Sequence, residues 1–347
     1  MGDKKYLLVK GCAGFGNRVI GLLSAILYAR LSGRLLLVDW SDQVYSSDGS
    51  NAIHRFFRSP WFSPSDEIPE TDSVRPSIWR GRLQTSAPTL TRAITPQLRG
   101  DPLVYRRTSV DISRLDYEEE VLVFWTYHSL IDQLRRHFRG DFASMRWQDA
   151  DTILRQLISE GLELHPAIRE RVHGIRERWP GGPTLGIHVR YTDQKANLRG
   201  ILHRMRALRG SHPGLQVFLA TDNREIEELL RHDCPGLLTA KKWYPDAGAR
   251  MHDSLSCLDK TAHGVEALTD LYLLAGCDHL IVVSSSSFSY LASVLADRAR
   301  SQIHDVHRLR WIPAPIRRLG WLAWKSVIWG PRRLLSSRQS GSTQRNR

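Results

Sequence analysis

The chain has 347 residues, 41% hydrophobic and 24% charged, with a net charge of +13. That composition supplies a sizeable core and excludes bulk disorder. Residues 298–347 hold eleven Arg, one Lys and one acid, Asp305, a surplus of +11 that leaves +2 for the first 297 residues; so neutral a body disfavours a nucleic-acid-binding domain.

The chain enters an apolar strand, Tyr6–Lys10, directly after Met1-Gly-Asp-Lys-Lys, with no charged and apolar leader pattern. Cys12, Cys234, Cys257 and Cys277 have neither metal-site nor disulfide-framework spacing, so free thiols in a reducing cytosol are expected. The glycine loop Gly11-Cys-Ala-Gly-Phe-Gly-Asn follows, then a helix over about Asn17–Ser32 and a strand at Leu35–Asp39. Residues 41–116 are rich in Ser, Pro and Arg without periodicity, and read as insertions and loops. Trp179-Pro-Gly-Gly-Pro marks the boundary between residues 1–180 and 181–310. The second half alternates again: strand Leu185–Val189, helix Asn197–Arg209, strand Leu215–Ala220, helix Asn223–Arg231, helix Val265–Ala275, strand His279–Val283, helix Phe288–Ala296. Such alternation predicts the α/β class, with a parallel sheet covered on both faces. A basic segment, 311–347, ends the chain. Its Trp321, Trp324 and Trp329 among arginines suit either a helix in a membrane interface or one packed back on the body, and it is too short to span a bilayer. Residues after Ser336 have the composition of disordered chain.

Ligands of parallel sheets gather beyond the carboxyl ends of the strands, and here each such end is polar. The first carries Gly14, Phe15, Gly16 and Asn17, where backbone passes close to a ligand, the helix N-terminus offers N–H groups and Asn17 suits a helix cap. The order Gly-x-x-Gly-x-Gly is neither a Walker loop nor the dinucleotide fingerprint, and a ligand-free turn fits it equally. The second end carries His188 and Arg190, on one face of a strand because they are two apart. Arg190 suits a bidentate grip on phosphate, or an ion pair with Asp193 or Asp222. The third carries Asp222. At the fourth, Ser284–Ser287 supply more hydroxyls than an N-cap needs. Asp270 stands among apolar residues of a helix. A carboxylate accepts two hydrogen bonds side by side, which the N1–H and N2–H₂ edge of guanine provides and adenine does not. An exposed helix acid is the simpler reading.

The stretches "GIHVRYTD", "VFLATDN" and "DLYLLAGCDHLIVVSSSSFS" resemble, in order and spacing, the three motifs of the NodZ-like α-1,6-fucosyltransferase superfamily. "GCAGFGNR…YARLSGRLLLVDW" is similar to the glycine loop that opens their catalytic region and to that of the related protein O-fucosyltransferases. The resemblance runs from about Lys4 to Asp297, outside the 41–116 stretch. It implies a GT-B-like fold, two Rossmann-type halves facing a cleft. The N-terminal half would take the acceptor and the C-terminal half the nucleotide-sugar. It implies a glycosyltransferase that uses GDP-fucose as donor substrate, inverting and without metal or other cofactor. Arg190 would hold the β-phosphate, His188 and Asp270 would read guanosine, and Asp222 with Ser285, Ser286 and Ser287 would line the nucleotide site. Gly14–Asn17 would approach the pyrophosphate from the other half.

The sequence also departs from the family pattern. Tyr191 stands where a second Arg follows the first, Gln194 where a Lys stands, and Leu198 where a Glu proposed as base stands. Asp193 and Asp42 are the remaining candidates for a base. The expected acceptor is a glycan, oligosaccharide or lipid-linked sugar, recognised by loops within 45–116. The expected place is the cytoplasm, with peripheral membrane contact through 312–335. The competing reading is a non-catalytic relative that binds nucleotide or glycan at a membrane.

Overall fold

The computed structural model describes residues 4–94, 103–192, 195–244 and 257–306. Its strands are β1 (Tyr6–Lys10), β2 (Leu35–Asp39), β3 (Phe57–Arg58), β4 (Val74–Arg75), β5 (Val121–Phe124), β6 (Glu163–Leu164), β7 (Thr184–Val189), β8 (Gln216–Thr221), β9 (His279–Val282) and β10 (Ile303–Asp305). Two parallel sheets result, with orders β2-β1-β5-β4 and β10-β9-β7-β8. The short β3 and β6 pair antiparallel beside them. This is the GT-B-like α/β architecture with two parallel sheets.

In the first sheet Leu8 lies between Leu37 and Val123. Burial on both faces explains why these strands are continuous apolar runs rather than alternating ones. The register also sets Lys10 opposite Asp39, and the two form a buried ion pair to which Leu83 O adds a second acceptor. Burial pushes the Lys10 pKa down against the pull of Asp39. In the second sheet, β7 is central: Val189 pairs with Thr221, and Ile187 with Ile281.

The helices are α1 (Phe15–Ser32), α2 (Ile53–Phe56), α3 (Ala87–Ile94), α4 (Leu103–Thr108), α5 (Ile131–Leu134), α6 (Ala150–Gly161), α7 (Pro166–Arg176), α8 (Leu198–Ser211), α9 (Arg224–Asp233), α10 (Lys260–Ala275) and α11 (Ser287–Ala296). α1 is buried all round from Val19 to Ala29, as expected of a helix apolar on every face. It packs on the first sheet on one side and against α11 and α6 on the other. Gly33 ends it in the left-handed conformation, its N–H returning to Ala29 O.

The described part of 41–116 is mostly loop, as the sequence indicates, but it also carries short strands and helices that join the core. β4 is the edge strand of the first sheet. Trp79 is fully buried, its indole N–H donating to Thr108 O at 2.7 Å. Two-residue strands and six- or eight-residue helices are too short to leave a periodic pattern. The four cysteines are buried and free. Among the described residues, no helix is long and apolar enough to cross a membrane. The tail expectation, 311–347, lies outside the described residues.

Candidate active site

The carboxyl ends of β1, β7 and β8 and the first turns of α1 and α11 open onto one cleft between the two sheets. Its cavity volume is about 120 Å³, small beside the ~300–1,000 Å³ of typical ligand pockets.

The glycine loop forms one wall. Gly14 is the N-cap of α1, in extended conformation, and as a glycine it brings no capping side chain of its own. The expectation that Asn17 caps it is therefore corrected: Asn17 lies inside the first turn and lines the cleft. Phe15 N–H donates to Tyr45 Oη at 3.1 Å. That leaves Gly16 and Asn17 N–H as the open donors of this end among the described residues. Phe15 stacks on Tyr45 with centroids 4.1 Å apart and meets Phe56 edge-on at 4.9 Å, which fixes the loop against the core. Ala13 carries φ +59°, a left-handed conformation that strains any residue with a Cβ. Its carbonyl is held by Arg18 Nε at 2.7 Å. Arg18 pairs with Asp42 at 2.6 Å, both side chains buried, and its guanidinium lies over the Trp40 and Tyr45 rings. Asp42 is thus a structural partner of Arg18 and does not line the cleft, which corrects its reading as a base.

The opposite wall begins at α11. Its N-cap, Ser286, makes no capping bond, and Ser286 Oγ is buried without a partner among the described residues. The other long helices differ: Asp149, His165, Asn197, Asn223 and Asp259 each cap their helix with a side chain. Two uncapped helix N-termini therefore meet at the cleft, each a site of partial positive charge. Ser287 lines the cleft as expected, whereas Ser285 is exposed and does not.

His188 is buried on β7 and hydrogen-bonded through Nδ1 to Ser289 Oγ at 2.6 Å. Burial first, then the charges of Arg190 and Lys242, push its pKa down to about 3, so the ring is neutral. Arg190 follows on the same face at the cleft. Asp222 accepts from Tyr191 N–H at 2.7 Å and from the Thr192 N–H and hydroxyl. It thereby pins the turn that presents Arg190. Asp193 lies outside the described residues. Lys195 Nζ stands 4.0 Å from the Tyr191 ring centroid.

The floor comes from α10 and the segment after α9. Asp270 is buried; one oxygen bonds Lys242 and the other, Oδ1, has no partner among the described residues. Burial pushes its pKa up against the attraction of Lys242. Glu266 accepts from Trp243 N–H at 2.9 Å. Tyr45, Lys242, His263 and Glu266 line the cleft although sequence reading did not select them. Lys242 follows the second sheet's α9 with no motif around it. Tyr45 sits in the segment read as loop.

A family model described as nodulation protein Z (NodZ) matches residues 3–312, most of the chain. The chain belongs to the nodulation protein Z family. Nodulation protein Z of Azorhizobium caulinodans is 26% identical over 317 residues, covering 82% of this chain and 87% of that protein. That of Bradyrhizobium diazoefficiens is 25% identical over 342 residues, covering 88% and 84%. A NodZ α-1,6-fucosyltransferase solved after soaking with GDP-fucose superposes with a TM-score of 0.57 at 24% identity, over 84% of this chain and 92% of that one. Arabidopsis thaliana FUT1 in complex with GDP superposes with 0.54 at 18% identity, over 86% and 70%. These structural likenesses fix the fold of this NodZ family member. Its cleft residues are its own evidence for chemistry. Among the described residues no group of three or more His, Cys, Asp or Glu side chains is arranged to hold a metal ion.

Proposed function

We propose that this NodZ family member is an inverting, metal-independent fucosyltransferase that takes GDP-fucose as donor. The observation that carries the reading is the meeting of Arg190, the Asp270 carboxylate and two uncapped helix N-termini in one cleft. A nucleoside diphosphate needs both an anion site and a base reader, and a guanine base suits a carboxylate with a free oxygen. NodZ α-1,6-fucosyltransferase crystals soaked with GDP-fucose or grown with GDP support the choice of donor.

In this reading His188 and Asp270 face the guanosine, Asp222 positions the Arg190 turn, and Ser286 and Ser287 line the nucleotide site. Arg190 holds the β-phosphate with the Gly16 and Asn17 N–H groups opposite. An acceptor hydroxyl attacks the anomeric carbon, the bond to the β-phosphate oxygen breaks and GDP departs. Charge develops on that oxygen, and donors fixed beforehand stabilise it most. Lys195 beside Tyr191 places a cation near the position where the family pattern has a second Arg. Asp193 is the proposed base. The acceptor is a glycan or glycolipid met by loops of residues 45–116. Contact with an anionic membrane through 312–335 is a separate part of the proposal, tested by pelleting with anionic vesicles before and after truncation at Arg310.

The test is GDP release from GDP-fucose in EDTA, with and without added oligosaccharide. Turnover that oligosaccharide stimulates and chelator leaves intact is expected. Turnover abolished by EDTA and restored by a divalent ion would overturn the metal-independent step. Tight GDP binding with no turnover for any acceptor would favour the non-catalytic reading.

A further inference from the structure

The Lys242–Asp270 pair is a buried ion pair inside the cleft, with side chains 3% and 7% exposed. Removing two charges from water is costly, and such pairs are often no more stabilising than apolar residues of the same volume. A stability role alone therefore explains it poorly. Its hydrogen bonding is also incomplete. An ammonium has three donors, and among the described residues the single hydrogen bond of Lys242 is to Asp270. Asp270 Oδ1 is buried and without a partner there.

We propose that Lys242 and Asp270 read the guanine edge together, Lys242 donating to O6 while Asp270 accepts from N1–H and N2–H₂. This rests on the GDP-sugar reading above and adds a specificity-determining residue to it. Lys242 Nζ, the Asp270 oxygen bonded to it and the free Oδ1 present a donor, an acceptor and an acceptor in that order. Guanine presents acceptor, donor and donor along O6, N1 and N2. Adenine offers a donor at position 6 and an acceptor at N1, wrong at both places. Uracil matches at O4 and N3–H and fails at O2. Hypoxanthine lacks only the 2-amino donor. In a buried site each mismatch leaves a polar group unpaired, which is what makes hydrogen-bond readers selective. Lys242 also draws the buried carboxylate towards the ionised state, the one that accepts from guanine, against the burial that pushes its pKa up. The bound base then satisfies the groups that the free protein leaves open.

The experiment is calorimetric titration of the full chain with GDP, 6-thio-GDP, IDP and ADP at pH 7.0, where all three 6-substituted purines with N1–H keep that proton, using wild type, Lys242→Met and Lys242→Arg. 6-Thio-GDP keeps N1–H and the 2-amino group and replaces O6 with a weakly accepting sulfur. Hydrogen bonds to charged groups are worth ~1.5–3 kcal/mol, so wild type should favour GDP over 6-thio-GDP by about tenfold or more. In Lys242→Met that ratio should fall towards one. Lys242→Arg, which keeps the donor, should retain part of it. A wild-type ratio near one overturns the proposal without any variant. So does a Lys242→Met protein that binds GDP, IDP and ADP more weakly by one common factor, because that is the signature of a diphosphate contact. Failure of wild type to bind any guanine nucleotide is a different result, and would strike the donor reading itself.

Discussion

Gly16 and Phe288 touch through their backbones: a Cβ placed on Gly16 would lie 2.5 Å from the Phe288 amide nitrogen. The first turns of α1 and α11 are thus in direct contact, which is what brings two helix N-termini to one ligand site. Gly16→Ala must push these turns apart. Overpacking of this kind costs ~1–3 kcal/mol. The expected outcome is a lower melting temperature together with weaker GDP binding, read by thermal unfolding and titration of one preparation. Weaker stability with unchanged GDP affinity would mean that the contact is structural only.

Arg18 holds the strained Ala13 carbonyl and pairs with Asp42 out of solvent. Asp42→Ala leaves the guanidinium buried and unpaired, and breaking a buried pair from one side costs ~3–5 kcal/mol. Urea unfolding should show that loss. If Asp42 were instead the base, the variant would keep its stability and lose turnover.

His188 provides a pH signature. Its pKa is about 3 in the folded protein, against an ordinary value of ~6.5. Between those limits the unfolded chain binds more protons, so stability from this group rises with pH and is complete above 6.5. At pH 5 the loss relative to pH 7 is about 2 kcal/mol, from 1.5 pH units at ~1.36 kcal/mol each. Urea midpoints at both pH values should show a larger drop for wild type than for His188→Asn. Equal drops would contradict a neutral buried ring.

The legible part of the fold was the part with long apolar runs. β1 and β2 fall on the residues that the sequence indicates, and α9 begins just after Asn223, whose side chain caps it. α10 begins at Lys260 rather than Val265, because Asp259 caps it by accepting from Ala262 N–H at 2.8 Å. β5 is four residues flanked by loops, too short for a pattern to mark it, yet it sits inside the first sheet. In the site, residues at strand ends were readable because topology sends strand ends to the cleft. Lys242 was not, since its partner Asp270 is 28 residues away and on another element. Ser285 turns outward, against expectation, because in a run of four serines nothing in the sequence distinguishes the ones that face the cleft.

Asp270 makes a prediction about exchange of specificity. Asp270→Asn replaces one acceptor with a donor. Guanine offers a donor at position 2 and xanthine an acceptor, so the variant should lose GDP and gain xanthosine diphosphate. A site built on hydrogen bonds discriminates steeply against a mismatch. Competition between the two nucleotides should shift in favour of xanthosine diphosphate by at least about tenfold, one hydrogen bond's worth. An unchanged preference for GDP would place base reading elsewhere.

In the proposed function Arg190 grips the β-phosphate of a guanosine diphosphate donor. The most direct test of that grip is titration of GDP into wild type, Arg190→Lys and Arg190→Ala, each with a melting curve to confirm folding. An ammonium cannot reproduce the planar fork, and removing a buried charge partner costs ~2–5 kcal/mol. Wild type should bind GDP, and both variants should lose about thirtyfold or more in affinity, since each ~1.4 kcal/mol is tenfold. A folded Arg190→Ala protein that binds GDP as wild type does would contradict this role of Arg190.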